Sequence, residues 1–224
     1  MSQTAWLRSA RFGALVFGIL SSAAAQAAEM SFRLVEFRDG KCRDNCPLVI
    51  AADGEITTQT PQAFLDFVGR NIGSGRLHSI ILLNSQGGKV VASMELGQTF
   101  RKMGAAVIIA RPAPGATSGV VMSGRCYSAC VYALMGASKR VAPPESRVGV
   151  HRMFMYEANR SPDAPTGLTR TYASEPLVSR LGQYAQLMGV SQELIWAAER
   201  ISPDKIRVLT TAEMRRWKLA APRL

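Results

Sequence analysis

Histidine is nearly absent from this sequence, with two among 224 residues, and cysteine is scarce at four. A dedicated metal cage draws its ligands from these residue types, so no metal site and no cofactor is expected. There is no run of five or more basic residues either, although Lys and Arg outnumber Asp and Glu by 27 to 16. The net charge of +11 is spread in ones and twos, such as Arg101-Lys102, Lys139-Arg140 and Arg215-Arg216, and reads as a solvated basic face rather than a nucleic-acid tract. Internal repeats, low-complexity tracts and domain-separating linkers are also missing. What is present is ordinary: 47% hydrophobic and 19% charged residues exclude disorder, collagen and a coiled coil. A mass of 24.2 kDa suffices for one domain with a sizeable core.

The first 27 residues differ from the rest. Arg8 and Arg11 precede an apolar run over 12–20, and small residues follow, ending in Ala25-Gln26-Ala27. This is the pattern of a secretory signal peptide cleaved before Ala28, and the run is too short to cross about 30 Å of hydrocarbon. The expected organisation is a leader over 1–27 and one domain over 28–224. Its loss lowers the charge from +11 to +9, because it carries Arg8 and Arg11 and no acid. No second apolar run approaches membrane-spanning length, so the mature chain is expected in a bacterial periplasm. An oxidising compartment favours disulfides over thiolate chemistry. Four cysteines allow three pairings, and the spacing favours Cys42 with Cys46 and Cys126 with Cys130.

Residues 31–37 alternate apolar and polar, and 48–56 carry an apolar stretch; both read as strands. Thr60-Pro61 opens a helix with Phe64, Leu65 and Val68 at helical spacing. Residues 77–83 form a near-continuous apolar run, as expected of a parallel strand buried on both faces. The turn Asn84-Ser85-Gln86-Gly87-Gly88, a helix over 90–103 and a buried strand over 105–110 complete a β-α-β crossover. A helix over 130–135 and short strands over 139–141 and 147–151 follow. Loops are expected over 112–124, part of it strand, and over 159–167. Helices are expected over 177–188, over 192–200 and from Thr211. Alternation of strand and helix predicts an α/β fold.

Three features carry chemistry. Gly87-Gly88 follows a buried strand, where glycine lets successive N–H groups converge on one oxygen; such a turn also serves simply to reverse a chain. Ser128 lies in Gly124-Arg-Cys-Tyr-Ser128-Ala-Cys130 directly before a helix, suited either to an N-cap or to an acyl-transfer nucleophile. The G-x-S-x-G elbow is not present. A nucleophilic serine needs a base, and the two histidines differ in position. His78 begins its strand, roughly 20 Å from the glycine turn at about 3.3 Å per residue. His151 ends its strand, on the side where crossover sheets carry their sites.

These segments, in this order and closed by Val208-Leu-Thr-Thr-Ala-Glu-Met-Arg-Arg-Trp-Lys-Leu, resemble the proteolytic subunit of Clp protease in the ClpP/crotonase superfamily, and more specifically its periplasmic ClpP-like members. The likeness runs from about Ile80 to His151 and resumes at Val208. It implies a ClpP/crotonase-like spiral of β-β-α units with Ser128 as nucleophile and His151 as general base. It further implies an oxyanion hole from the N–H groups of Gly88 and Ala129, and an extended substrate beside Gly87-Gly88, read through its backbone. A homo-oligomer is implied as well. The sequence departs from the pattern where Gln86 replaces a usual proline, and where the triad acid is expected: a gapless alignment gives Ile206, and Asp204 is the acid only with a register shift.

The function expected is an exported serine peptidase acting on unfolded polypeptides or peptides. No ATP-driven unfoldase partner is expected, since the periplasm offers no ATP, and the export signal argues against nucleic acid. The alternative is a catalytically silent ClpP-like module that binds peptides or scaffolds an envelope complex.

Overall fold

The computed structural model describes residues 28–37, 46–113, 121–158 and 167–223. The expected leader, Cys42 and most of the 159–167 loop lie outside them. Among the described residues no helix is long and apolar enough to cross a membrane.

The central sheet grows from the apolar runs. Strand β1 (Ser31–Glu36) pairs antiparallel with β2 (Leu48–Asp53), and β2 runs parallel to β3 (Leu77–Asn84). Strand β4 (Ala106–Pro112) lies parallel to β3 and takes two further partners, β5 (Val121–Ser123) antiparallel and β7 (Lys139–Val141) parallel. Alternate residues serve opposite faces. Ile50, Ile81, Leu83, Val107 and Ile109 join the main core, while Val49, Ala51, Leu82, Ile108 and Ala110 form a smaller cluster on the other face. Burial on both faces explains why these strands read as continuous apolar runs. In β3 this holds for the second half only, since His78 and Ser79 at its start are exposed.

Three helices cover the main face. Helix α1 (Thr60–Asn71) has Pro61 in its first turn and buries Phe64 and Val68. Helix α2 (Val90–Lys102) buries Leu96 and Phe100, and α3 (Cys130–Gly136) is buried along its whole length. Phe64 sits edge-on to Phe100 with ring centroids 5.2 Å apart. Each such side chain, once buried, contributes on the order of 1.5–3 kcal/mol.

A second sheet carries the chemistry-bearing residues. Strand β6 (Arg125–Tyr127) runs parallel to β8 (Arg147–Val150), and β11 (Arg207–Val208) closes antiparallel on β8. The sheets meet where β3 ends: Ser85 bridges to Cys126, donating its N–H to Arg125 O at 2.8 Å. Beyond β8 an antiparallel hairpin, β9 (Phe154–Ala158) with β10 (Leu168–Tyr172), stands apart from both sheets. Helices α4 (Glu175–Leu187), α5 (Glu193–Glu199) and α6 (Thr211–Arg216) complete the chain.

The 48–56 strand ends at Asp53, because Gly54 takes φ +129° and turns the chain, leaving Ile56 as a single bridge to Gly88. Strands β6, β9, β10 and β11 fall where the sequence gives no strand signal. All are at most five residues long and depend on partners distant in sequence or across a loop.

Candidate active site

The turn after β3 is fixed from three sides. Asn84, 8% exposed, donates through Nδ2 to Asp53 and accepts from the N–H of Arg125 at 2.9 Å. Ser85 Oγ accepts the N–H of Gly87 at 3.1 Å. Ile56 donates to Gly87 O and accepts from Lys89 N, each at 2.8 Å, which staples one edge of the Gly87-Gly88 segment. Gly87 and Gly88 hold φ of +113° and +135°, a region closed to other residues, and a Cβ on Gly88 would collide with the carbonyl of Ile56. With Gly87 N and Lys89 N engaged, the Gly88 N–H has no acceptor among the described residues.

Ser128 stands at a strand-to-helix turn between β6 and α3, with φ +55°. A left-handed serine costs about 1–3 kcal/mol, so the surroundings must hold it. Three restraints do so. Its N–H donates to Gly149 O at 2.9 Å. The disulfide Cys126–Cys130 spans the turn, with both cysteines fully buried. Gly87 presses on it from the side, where a Cβ would lie 2.9 Å from Ser128 Cβ and 3.2 Å from Ala129 N. The Ala129 N–H has no acceptor among the described residues. Two main-chain donors without acceptors among the described residues, Gly88 and Ala129, thus line the same cleft as Ser128. Cys46 is disulfide-bonded too, and its expected partner Cys42 lies outside the described residues.

His151 follows the last residue of β8, the strand that carries Gly149. Its Nδ1 lies 2.8 Å from the carbonyl oxygen of Arg152. A carbonyl only accepts, so Nδ1 bears a proton; in the neutral imidazole the lone pair is then on Nε2, the tautomer a general base requires. Ser128 and His151 line one cleft of about 870 Å³, together with Gly88 and Ala129. No hydrogen bond joins the Ser128 hydroxyl to the imidazole, and the hydroxyl has no other partner among the described residues. The cleft continues between α3 and α5 over Val131, Met135, Leu194 and Ile195, and its outer wall is β9, through Phe154, Met155 and Tyr156. Burial, with the charge of Glu199 second, pushes the Tyr132 phenol in this cleft well above its usual range, so it stays protonated.

Asp204 is not joined to His151. Its carboxylate accepts from Arg170 Nη1 at 2.8 Å and from Ser202 Oγ at 3.4 Å, and its side chain is 65% exposed. The antiparallel register of Arg207 with Val150 and Val208 with Gly149 turns Ile206, the next residue out, toward His151, with its Cγ2 packed on Gly149. A carboxylate is joined to the chain two residues after His151: Glu199, at the end of α5, accepts the N–H of Met153. Glu199 carries no sequence signal, because a contact made through a main-chain amide leaves no motif. His78 lies on β3 at the end away from the glycine turn.

No protein-family model and no curated protein matches the chain in sequence. Among solved structures it is similar to a serine-to-alanine variant of the 1510-N membrane-bound stomatin-specific protease, with TM-score 0.51 and 19% identity over 76% of this chain and 75% of that one. A lysine-to-alanine variant of the same protease, in complex with a substrate peptide, gives TM-score 0.50 and 18% identity over 76% and 71%. The chain thus has the α/β, ClpP-like fold that the sequence resemblance implies.

Proposed function

We propose that the chain is a ClpP-like serine peptidase that hydrolyses extended polypeptides with Ser128 as nucleophile and His151 as base. The observation that carries this reading is the pair of N–H groups without acceptors, Gly88 and Ala129, on the same cleft as a serine held at φ +55°. Orphan donors of this kind are costly unless an oxyanion satisfies them, and preorganised donors aimed at developing charge are the largest common source of acyl-transfer catalysis. The solved structures of similar fold belong to a protease, one of them bound to a substrate peptide, which supports the same class.

In this scheme Ser128 Oγ attacks the scissile carbonyl as its proton passes to His151 Nε2. The oxyanion lies between the N–H groups of Gly88 and Ala129. Collapse breaks the C–N bond, the leaving amine takes the proton from Nε2, and an ester to Ser128 remains. Water then attacks the ester with His151 again as base, releasing the acid and restoring the hydroxyl. Substrate would lie extended between the glycine segment and the outer edge of β9, which pairs with β10 on its other side. Recognition through main-chain hydrogen bonds favours unfolded chains of varied sequence. The signal-peptide pattern over 1–27 supports action outside the cytoplasm and so without an ATP-driven partner, and the resemblance to Clp protease supports an oligomer of this chain.

A second reading, a peptide-binding module without turnover, is favoured by one observation: the Ser128 hydroxyl and the imidazole are not hydrogen-bonded. Catalytic contacts of this kind are often long without substrate and tighten on binding. Incubation of the mature protein with a denatured, fluorescently labelled polypeptide and no ATP separates the two. The peptidase releases fragments and Ser128→Ala abolishes release; binding of the polypeptide with no fragments from the wild type establishes the module.

A further inference from the structure

No carboxylate among the described residues is hydrogen-bonded to the imidazole of His151, yet one peptide group connects it to a carboxylate. The group is the peptide bond between Arg152 and Met153. Its carbonyl oxygen accepts the Nδ1 proton of His151 at 2.8 Å, and its N–H donates to Oε1 of Glu199 at 3.1 Å. Oxygen and N–H of one peptide belong to one conjugated system. An anion on the N–H side draws positive charge toward the nitrogen and leaves the oxygen more negative, and hydrogen bonds in such a chain strengthen one another.

We propose that Glu199 is the acid of this site, acting on His151 through the Arg152–Met153 peptide as a positioning residue. The inference rests on the Ser128–His151 reading above. It gives the imidazole what a triad carboxylate supplies, a fixed tautomer and a stabilised imidazolium, by a relay through the main chain.

The surroundings of Glu199 suit the role. Its side chain is 15% exposed, so its charge is little screened. Oε2 faces Arg152 Nε at 3.5 Å, which leaves Oε1 to Met153. The loop is anchored independently: Arg152 donates its N–H to Ile201 O at 3.0 Å, and its guanidinium lies over the Tyr172 ring. Other charged groups around the imidazole are engaged elsewhere or stand off across the cleft. Arg170 covers Phe154, whose ring stacks obliquely beside His151, and holds Asp204. Lys89 and Glu95 line the cleft wall toward α2. None of these is hydrogen-bonded to the imidazole.

The test uses the full mature chain with Glu199→Gln and Glu199→Ala. Glutamine keeps an acceptor for the Met153 N–H and removes the charge, so a purely structural role survives it. Nitrogen-15 NMR of the side chains reads the His151 tautomer directly, and His78→Gln assigns the two histidines. Saturation kinetics of fluorophosphonate labelling separate the chemical step from binding. Glu199→Gln is expected to slow the chemical step on the order of tenfold at unchanged probe affinity, the difference between a charge-assisted and a neutral hydrogen bond. Glu199→Ala is expected to mix the tautomers and broaden the Nδ1 proton. Equal tautomer populations and equal labelling rates in wild type and both variants would overturn the relay. If the wild type does not label, the peptidase reading fails, and the NMR arm still decides the relay. Should Glu199→Ala fail to fold, Glu199→Gln carries the decision: a slower chemical step with the Met153 amide still protected from exchange supports the relay, and an unchanged rate, or an unprotected Met153 amide in the wild type, overturns it.

Discussion

Gly87 and Ser128, 41 residues apart in the chain, face each other so closely that a single added Cβ on Gly87 would lie 2.9 Å from Ser128 Cβ. The glycine turn is thus one wall of the nucleophile's position. Gly87→Ala forces a side chain into a φ of +113° and into that contact. The variant is expected to cut fluorophosphonate labelling of Ser128 by about 100-fold, comparable to loss of one oxyanion donor. Labelling within threefold of wild type would show that the wall is not needed.

The buried Cys126–Cys130 disulfide closes a five-residue strand-turn-helix segment around a left-handed serine. A loop this short removes little chain entropy, about 2 kcal/mol. The double variant Cys126→Ala/Cys130→Ala is therefore expected to fold with a modestly lower Tm. The Ser128 amide, which donates to Gly149 O, should exchange faster with solvent. Hydrogen exchange followed by mass spectrometry over 125–131 checks this.

Asp204 holds Arg170 and not His151. Asp204→Asn should leave the labelling rate within about twofold of wild type, since an exposed ion pair contributes only about 0–1 kcal/mol. A loss of tenfold or more would mean that the 202–206 segment rearranges on substrate binding to bring the carboxylate in.

Much of the scaffold is legible because its signals are local. The run over 77–83, the glycine turn and the amphipathic 90–103 segment each declare a strand, a reversal and a helix within a few residues, and they fold as β3, the Gly87-Gly88 turn and α2. The β9–β10 hairpin and β11 are not legible: β9 sets Phe154, Met155 and Tyr156 in an unbroken run, β11 is two residues long, and their pairing is decided by partners elsewhere. For the site, residue type and position after a strand bring Ser128 and His151 to attention, and the structure puts both on one cleft. The partner of Nδ1 is a different matter. Asp204 and Ile206 differ by two residues of register between β8 and β11, below what spacing alone specifies, and a contact to the main-chain oxygen of Arg152 leaves no side-chain motif.

Arg140 ties the C-terminal ends of three helices together, donating to Met135 O, Ala137 O, Met188 O, Lys218 O and Leu219 O at 2.8–3.1 Å. Burial, with Arg101 nearby, lowers its pKa below the usual guanidinium value, the cost of holding this charge inside. Arg140→Ala leaves several carbonyls without donors and is expected to destabilise by about 3 kcal/mol. Arg140→Lys should recover only part of this, because an ammonium cannot reproduce the planar fork. Denaturant unfolding of the two variants measures both.

Glu213 closes the capping box of α6, accepting from the Thr210 N–H at 2.9 Å, and pairs with Arg207 on β11. The Thr210 backbone hydrogen bond is the first cause that holds its carboxyl below the ordinary 4.5. A depressed folded value means that the contribution is present above pH 4.5 and fades as pH falls below it. Glu213→Gln should accordingly lower Tm at pH 7 and narrow the gap to wild type by pH 3. A gap that stays constant with pH would contradict the assignment.

The most direct measurement is mass-spectrometric mapping of the fluorophosphonate adduct on the mature wild-type protein, beside Ser128→Ala and His151→Ala. The account predicts one adduct, on Ser128, absent from Ser128→Ala and strongly slowed in His151→Ala. A folded wild type that takes no adduct, or takes it on another serine with equal rates in all three proteins, would contradict it.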